Sequence, residues 1–309
     1  MFQHYSVMLN EVIDNLNINP DGIYVDCTAG GGGHSMQILK KLNNGKLISI
    51  DKDLDAINEC KQKFIDNANK SILVHNDFHN YKDILKELGI EKADGVIIDL
   101  GVSSFQIDTP ERGFSYRFDA PLDMRMNQEQ SLTAFDVVNN YTEEELTDIF
   151  FKYGEEKFSR KIAKKIVEYR KTRSIETTLE LVKVIESVLP AKVLYEKGHS
   201  CKRIFQAIRI EVNNELDELK NCLLDMVDSL LPNGRICVLT FHSLEDRIVK
   251  ETFKELATDC ICPKEVPICV CNHKRTINLV SRKPILASEK ELSENSRSAS
   301  AKLRIAEKV

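Results

Sequence analysis

Four aspartates and one run of glycines are the residues of this 309-residue chain best suited to chemistry. Asp26 leads into Cys27-Thr28-Ala29-Gly30-Gly31-Gly32-Gly33-His34-Ser35, and Asp51, Asp77 and Asp99 follow at similar spacing. A carboxylate accepts hydrogen bonds from a ribose diol and attracts a cation. Glycines let a ligand approach the backbone closely, and a helix beginning at their end supplies free N–H groups. Acids and glycines alternating in this way suit a nucleoside ligand with a positive charge better than one with phosphates.

Strands must position these residues. Gly22–Asp26 is a short β-branched and aromatic run that reads as a buried strand, after which Met36, Ile38, Leu39 and Leu42 take helical spacing. Further strands are predicted over 46–51, 71–76 and 95–99, with a helix over 81–88. Asp51 stands where an open α/β sheet places the acid that binds a ribose. Its other reading is a helix cap near Leu54, for which Asp53 is the better candidate. The alternation predicts a parallel doubly wound sheet with the four acids along the edge where ligands bind. It stops after Ser104. Residues 105–130 read as loop and 131–194 as helices, with a capping box at Thr142 and Glu145. A turn at 231–234 and a strand over 235–241 resume the sheet, and the tail holds two short strands, 277–281 and 301–306. The expected domains are 1–105 plus 216–309, an α/β domain, and 106–215, an all-α insertion.

The glycine spacing separates two ligands. A dinucleotide site needs Gly-x-Gly-x-x-Gly, and neither register of this run supplies the third glycine: Met36 or Ser35 stands there. A strand-end acid followed by Gly-x-Gly resembles the Rossmann-like methyltransferases that use S-adenosylmethionine. Several motifs narrow the resemblance: His4-Tyr5-Ser6-Val7-Met8, Asp26–Ser35, Asp99-Leu100-Gly101-Val102-Ser103-Ser104, Glu111-Arg112-Gly113-Phe114-Ser115, Arg203–Asn213, Phe241–Arg247 and Arg297–Arg304. Together they resemble the bacterial ribosomal small-subunit methyltransferase H family. That likeness implies methyl transfer to the N4 amine of a cytidine in 16S rRNA. It also implies cofactor contacts at Gly32, Gly33, His34, Asp51, Phe78, Asp99 and Gln106. Ala29 and Gly31 stand where the family often has other residues, and small side chains there only enlarge the room.

A cytosine amine is a weak nucleophile, so the site needs an acceptor for an amine N–H, in-line placement and exclusion of water. Amino methyltransferases acting on DNA carry an Asn/Asp-Pro-Pro-aromatic loop, whereas this chain has Asp99-Leu100-Gly101-Val102. Asp99 is the expected catalytic acceptor and His242 the second candidate. His242 could equally be a packing residue, with Ser243 as the helix cap. For RNA, a helix over 152–171 gathers Lys157, Arg160, Lys161, Lys164 and Lys165 into one stripe. The loop from Arg112 to Arg125 offers guanidinium and aromatic planes. The polar face Arg203, Gln206, Arg209 and Asn213 is expected to look into a cleft, and Ser298, Lys302 and Arg304 to add a contact. The helices could instead pair two chains into a homodimer. A non-enzymatic ribosome-assembly factor and a methyltransferase for small molecules are the competing readings.

The net charge of −5 excludes a uniformly basic coat. No apolar run comes near about eighteen residues and the N-terminus lacks a signal-peptide pattern, so a cytoplasmic protein with no membrane contact is expected. Nine cysteines do not suggest a disulfide framework. Five metal-ligating residues cluster at Cys260, Cys262, Cys269, Cys271 and His273. Their Cys-x-Cys pairs are tighter than usual zinc spacing and the resemblance requires no metal. A cysteine-rich surface loop without metal is the expectation.

Overall fold

The computed structural model describes residues 6–194, 200–260, 262, 268–271 and 273–309. His4 and Tyr5 of the first motif lie outside the described residues. The chain divides into two compact units, Met1–Gly101 with Leu216–Val309, and Val102–Glu215. The first unit begins with α1 (Leu9–Asn15), β1 (Ile23–Asp26), α2 (Gly33–Lys41), β2 (Lys46–Asp51), α3 (Leu54–Lys63), β3 (Ser71–His75), α4 (Tyr81–Glu87) and β4 (Ala93–Asp99). The second contains α5 (Ser104–Asp108), α6 (Ala134–Asn140), α7 (Glu143–Lys152), α8 (Ser159–Arg170), α9 (Thr178–Glu186), α10 (Ala191–Leu194) and α11 (Ser200–Asn213). The first unit then resumes with α12 (Leu219–Ser229), β5 (Leu230–Thr240), α13 (Ser243–Leu256), β6 (Ile277–Leu279), β7 (Ile285–Leu286), α14 (Glu289–Glu294) and β8 (Lys302–Lys308).

The strands form one sheet in the order β3-β2-β1-β4-β5-β8-β6, with β7 beside β8. β1 to β5 pair in parallel with one another, and β8 is antiparallel to β5, β6 and β7. This is the expected Rossmann-like α/β class. The chain leaves β1 in one direction and returns to β4 on its other side, which opens a crevice beyond the ends of these strands.

Alternation along the strands builds two cores. Val25, Ile48, Ile50, Val96 and Ile98 pack into one with residues of α4, α12 and α13. Tyr24, Leu47, Ile97 and Leu239 face the opposite side, against α1 and α2. Each of these side chains is at most 1% exposed, and burying one contributes roughly 1.5–3 kcal/mol. A strand apolar on both faces is stable only when helices cover both, and here they do. The turn predicted at 231–234 is present as an excursion within β5: pairing jumps from Ala93–Leu230 to Gly95–Arg235, and Asn233 takes a left-handed φ of 66°. β7 and α14 were not predicted, because two strand residues or six helical ones carry too little periodicity.

The second unit buries Val137, Val138, Leu146, Phe150, Ile162, Ile166, Leu181, Ile185, Ile204 and Ile208. Thr142 with Glu145 forms the expected capping box, and Thr133 with Asp136 a second. The polar face of α11 holds this unit together, which corrects its expected role in a cleft. Arg203 Nε donates to the fully buried Glu156 at 2.7 Å, and Gln206 donates to the Tyr153 carbonyl at 2.9 Å. Arg209 grips Glu215 through two bonds, at 2.8 and 2.9 Å. Asn213 Oδ1 accepts from the Met126 N–H at 2.7 Å, and its Nδ2 donates to the carbonyls of Met124 and Arg209 at 2.8 and 2.9 Å. Asn213→Ala strands a buried N–H and a buried carbonyl, so a loss of about 2–4 kcal/mol is expected in urea unfolding of the full chain. A loss below about 0.5 kcal/mol, the size of an ordinary surface substitution, would remove Asn213 from this role.

Candidate active site

Asp26, Asp51 and Asp99 end three adjacent strands, with β1 in the middle. Asp26 is 1% exposed, accepting from Ser35 Oγ at 2.7 Å and the Thr28 N–H at 3.1 Å. Burial nevertheless lifts it to about 6 against those bonds. Beyond Asp26 the Cys27 N–H reaches the Ile97 carbonyl and the Ala29 N–H the Ile50 carbonyl, each at 2.9 Å. The glycine turn starts from that double anchor.

Two of its glycines are required by the protein's own packing. Gly32 has φ 74°, and a Cβ there would lie 3.0 Å from Cys60 Sγ and 3.1 Å from the Phe64 ring. A Cβ on Gly33 would sit 1.8 Å from Ser6 Oγ, so the N-terminal segment closes directly over the start of α2. His34, 5% exposed, stands in the first turn of α2 with Nε2 3.1 Å from the Val7 carbonyl. A carbonyl only accepts, so Nε2 carries the proton. Burial lowers this imidazole to about 4, outweighing the Val7 bond, so it is neutral at pH 7. Its Nδ1 lone pair is left facing Asp99 Oδ2 at 3.9 Å.

Asp51 tethers the turn. Its Oδ2 accepts from the Gly30 N–H at 2.7 Å and its Oδ1 from the Asp53 N–H at 2.8 Å. Burial raises it to about 6 despite both bonds. A carboxylate has roughly four lone-pair sites, so about two remain for hydroxyls. Asp53 caps α3 through the Asp55 N–H, as expected.

Asp99 is different. Its backbone N–H donates to Thr28 Oγ1 at 2.6 Å, which fixes the end of β4. Its Oδ1 is buried and has no hydrogen-bond partner among the described residues. Burial, then the charges of Asp26 and Glu245, push this carboxyl up to about 8. It is an acid without a cation, in a protein that surrounds it with other acids.

Other expected residues take different places. Burial pushes Asp77 up, but a hydrogen bond from His79 and the charge of Lys52 3.2 Å away hold it well below the usual range. Asp77 is therefore neutralised locally, and the expected row of four equivalent acids reduces to three. Phe78 is 9% exposed and belongs to the main core, with its ring 4.5 Å from that of His79. His242, not Ser243, caps α13: its Nδ1 accepts from the Glu245 N–H at 3.5 Å. Glu245 Oε2 in return takes the N–H groups of Phe241 and His242, at 2.8 and 3.2 Å. His242 Nε2 lies 3.0 Å from Glu245 Oε1, poorly aligned for a hydrogen bond. Capping therefore occupies Nδ1 of the second catalytic candidate, while its Nε2 makes no hydrogen bond among the described residues. Glu245 was missed as an influence on Asp99, although His242-Ser243-Leu244-Glu245 has the spacing of a capping box. Gln106 lies in the second unit, 4% exposed, where its Oε1 accepts from the Ser103 N–H at 3.0 Å in another capping box.

The basic residues divide sharply. Arg112 is buried and donates to the carbonyls of Arg125 and Met126 at 2.9 and 3.0 Å. Arg125 pairs with Asp123 at 2.7 Å and bonds the Gln128 and Gln130 carbonyls. Tyr116 packs edge-on against Phe205. These residues hold their loop, which corrects its expected role in stacking on bases; Arg117 and Phe118 remain exposed. Ser298 is buried on Glu291, while Lys302 and Arg304 grip Asp246 at 2.9 and 2.7 Å, so the tail's polar residues tie β8 to α13. On α8, by contrast, Arg160, Lys161 and Lys164 are exposed opposite buried Ile162, Ala163 and Ile166, and Lys165 is half-buried. Lys157 is exposed in the turn before it, where the helix expected over 152–171 is interrupted between Lys152 and Ser159. No helix among the described residues is long and apolar enough to cross a membrane.

The fold brings four of the clustered cysteines together in space. The sulfurs of Cys260, Cys262, Cys269 and Cys271 lie within 4.8 Å of one another. His273 takes no part, its Nε2 being 3.1 Å from the Glu255 carbonyl.

Comparison with known proteins agrees with this architecture. The family model of the MraW methylase family matches residues 1–309. Proteins named ribosomal RNA small subunit methyltransferase H are similar to this chain along its length. One from Finegoldia magna is 53% identical over 309 residues, covering 100% of this chain and 99% of its own. Those from Clostridium botulinum strain 657 and Clostridioides difficile strain 630 are 57% and 53% identical, with the same coverage. Matched from end to end, the chain belongs to the MraW methylase family.

Proposed function

We propose that this protein transfers the methyl group of S-adenosylmethionine to the N4 amine of a cytidine in 16S rRNA of the small ribosomal subunit, within the cytoplasm. The observation that carries the reading is Asp99: a half-buried carboxylate at the sheet's switch point whose buried Oδ1 has no hydrogen-bond partner among the described residues, raised to about 8 by desolvation and then by the charges of Asp26 and Glu245. The residues fit a sulfonium nucleoside. Asp51 retains lone pairs for ribose hydroxyls, and the glycine turn and the α2 N-terminus leave N–H groups for a carboxylate. Relatives named rRNA methyltransferases support the substrate.

When bound, S-adenosylmethionine supplies an electrophilic methyl group whose sulfonium charge vanishes on transfer. Asp99 Oδ1 stands to accept an N–H of the amine, which orients the nitrogen lone pair. The amine becomes cationic as it gains the methyl group and must lose one proton. Asp99 takes it, and an acid raised towards 8 is better matched to that task than an ordinary aspartate. His34, neutral and held by Val7, limits the positions Asp99 can adopt and adds no charge that would draw it away. The exposed lysines and Arg160 of α8 supply the charge for the RNA backbone, a surface a small-molecule methyltransferase would not need.

Asp99→Asn is expected to lower kcat by about 10²–10⁴-fold, measured as labelled methyl in 16S rRNA after incubation with 30S subunits. Full activity in that variant would refute the catalytic reading, and label appearing without RNA would refute the substrate. For the wild type, kcat/KM should rise with pH as Asp99 ionises and level off above about 8. A carboxyl raised in the folded state favours folding at low pH, and that contribution is lost as pH climbs towards its folded value. Asp99→Asn should therefore raise Tm most at pH 8, less at pH 5, and leave it nearly unchanged only below the ordinary carboxyl value of 3.8. A lower Tm at pH 8 would show that the ionised carboxylate is stabilised by something unseen. Reversing the charges of Lys157, Arg160 and Lys161 to Glu should weaken 30S binding and reduce the salt slope of the binding constant by roughly one per lost contact. An unchanged slope would direct the RNA elsewhere.

A further inference from the structure

Four cysteines of the segment between α13 and β6 remain unused by methyl transfer. All are thiols. Cys260 Sγ lies 3.5 Å from Cys269 Sγ and 3.8 Å from Cys271 Sγ, and Cys269 Sγ lies 3.5 Å from Cys271 Sγ. With Cys262, all four lie within 4.8 Å of one another. A tetrahedral zinc–thiolate site with bonds of about 2.3 Å has sulfur–sulfur edges of about 3.8 Å. Disulfide sulfurs lie much closer, at about 2.05 Å. The sulfurs therefore stand at the separations of a metal-binding tetrahedron.

We propose that Cys260, Cys262, Cys269 and Cys271 bind one structural zinc ion. The Cys-x-Cys arms differ from common zinc spacings, but two arms supply the four ligands once Val270 folds back on Cys262, its N–H pointing at the sulfur from 3.4 Å. Such a bond suits a thiolate, which keeps negative charge even when coordinated. Ile268 and Val270 are 75% and 73% exposed, so no apolar core forms around them. His273 and Thr276 bond the carbonyls of Glu255 and Leu256, tying the return of the chain to the end of α13. A closed four-sulfur shell leaves no position for substrate, as in structural zinc sites. Iron also accepts four thiolates, but Cys260 and Cys269 are exposed, and zinc has no redox chemistry with which to oxidise them. On binding, four Zn–S bonds form and the thiol protons pass to solvent.

The test uses the full chain, purified under reducing conditions without chelator. Elemental analysis should find about one zinc per chain, and Cys269→Ser/Cys271→Ser should abolish it, while His273→Ala retains it. Because the double variant could misfold, the wild-type chain is also stripped of metal under reducing conditions and titrated with cobalt(II). Thiolate charge-transfer bands and intense d–d bands, saturating at one equivalent, are expected. Trypsin should cleave after Lys274 and Arg275 faster in the stripped chain than in the zinc-loaded one. No zinc together with no thiolate–cobalt bands would overturn the proposal. So would iron in place of zinc, or a mass showing that the freshly isolated chain has lost hydrogens to disulfides.

Discussion

The crowding of carboxylates at one edge of a parallel sheet is the constraint on which the rest of this structure depends. Asp26, Asp51 and Asp99 end neighbouring strands, and burial raises all three. The protein meets this by giving Asp26 a serine hydroxyl and a backbone N–H, and Asp51 two backbone N–H groups. Those same bonds fold the glycine turn and the start of α3. Asp99 receives no such help at Oδ1, and Glu245 behind it makes matters worse. Of the three strand-end acids, Asp99 is thus the one raised furthest and the one with a carboxylate oxygen that accepts no hydrogen bond among the described residues, which is where a cationic ligand and an amine would relieve it.

The polar motifs outside this edge mostly serve architecture. Arg203 neutralises buried Glu156, Arg209 clamps Glu215, and Asn213 makes two hydrogen bonds to the loop at Met124 and Met126 and one to its own helix. Asp246 draws Lys302 and Arg304 together, although these motifs are separated by more than fifty residues. Leaving a buried charge or amide unpartnered costs several times what the pair itself gains. Polar residues in such positions are consequently as constrained as any binding group, and a motif's polarity alone does not tell the two apart. The α8 stripe escapes this ambiguity because its cations are exposed over an apolar face.

Much of the fold was legible along the chain. Apolar runs of β1, β2 and β4 identified buried parallel strands, and the turn at 231–234 appeared where glycine and proline announced it, although within a longer β5. Asp53 as a cap and Thr142 with Glu145 as a capping box were also readable, since capping depends on residues three or four apart. Asp77 was misjudged because its neutralisation needs the side chain of His79, two residues on, turned back onto it and Lys52 brought in from twenty-five residues earlier. His242 was ambiguous because catalysis and capping both want a polar side chain at that position.

By itself the sequence determined the alternation of strands and helices, the helical insertion, the candidate cofactor turn and the basic helix. All of these rest on local periodicity or on residue types adjacent in the chain. Only the tertiary structure decided which polar groups remain without partners. Asp99 is distinguished from Asp26, Asp51 and Asp77 by what lies around it, not by its place at a strand end. The four cysteines gain their meaning in the same way, since Cys-x-Cys spacing argues against a zinc site until the fold brings two pairs together. Hydrogen bonding, desolvation and coordination are set by distances in space, and those exist only once distant segments have packed.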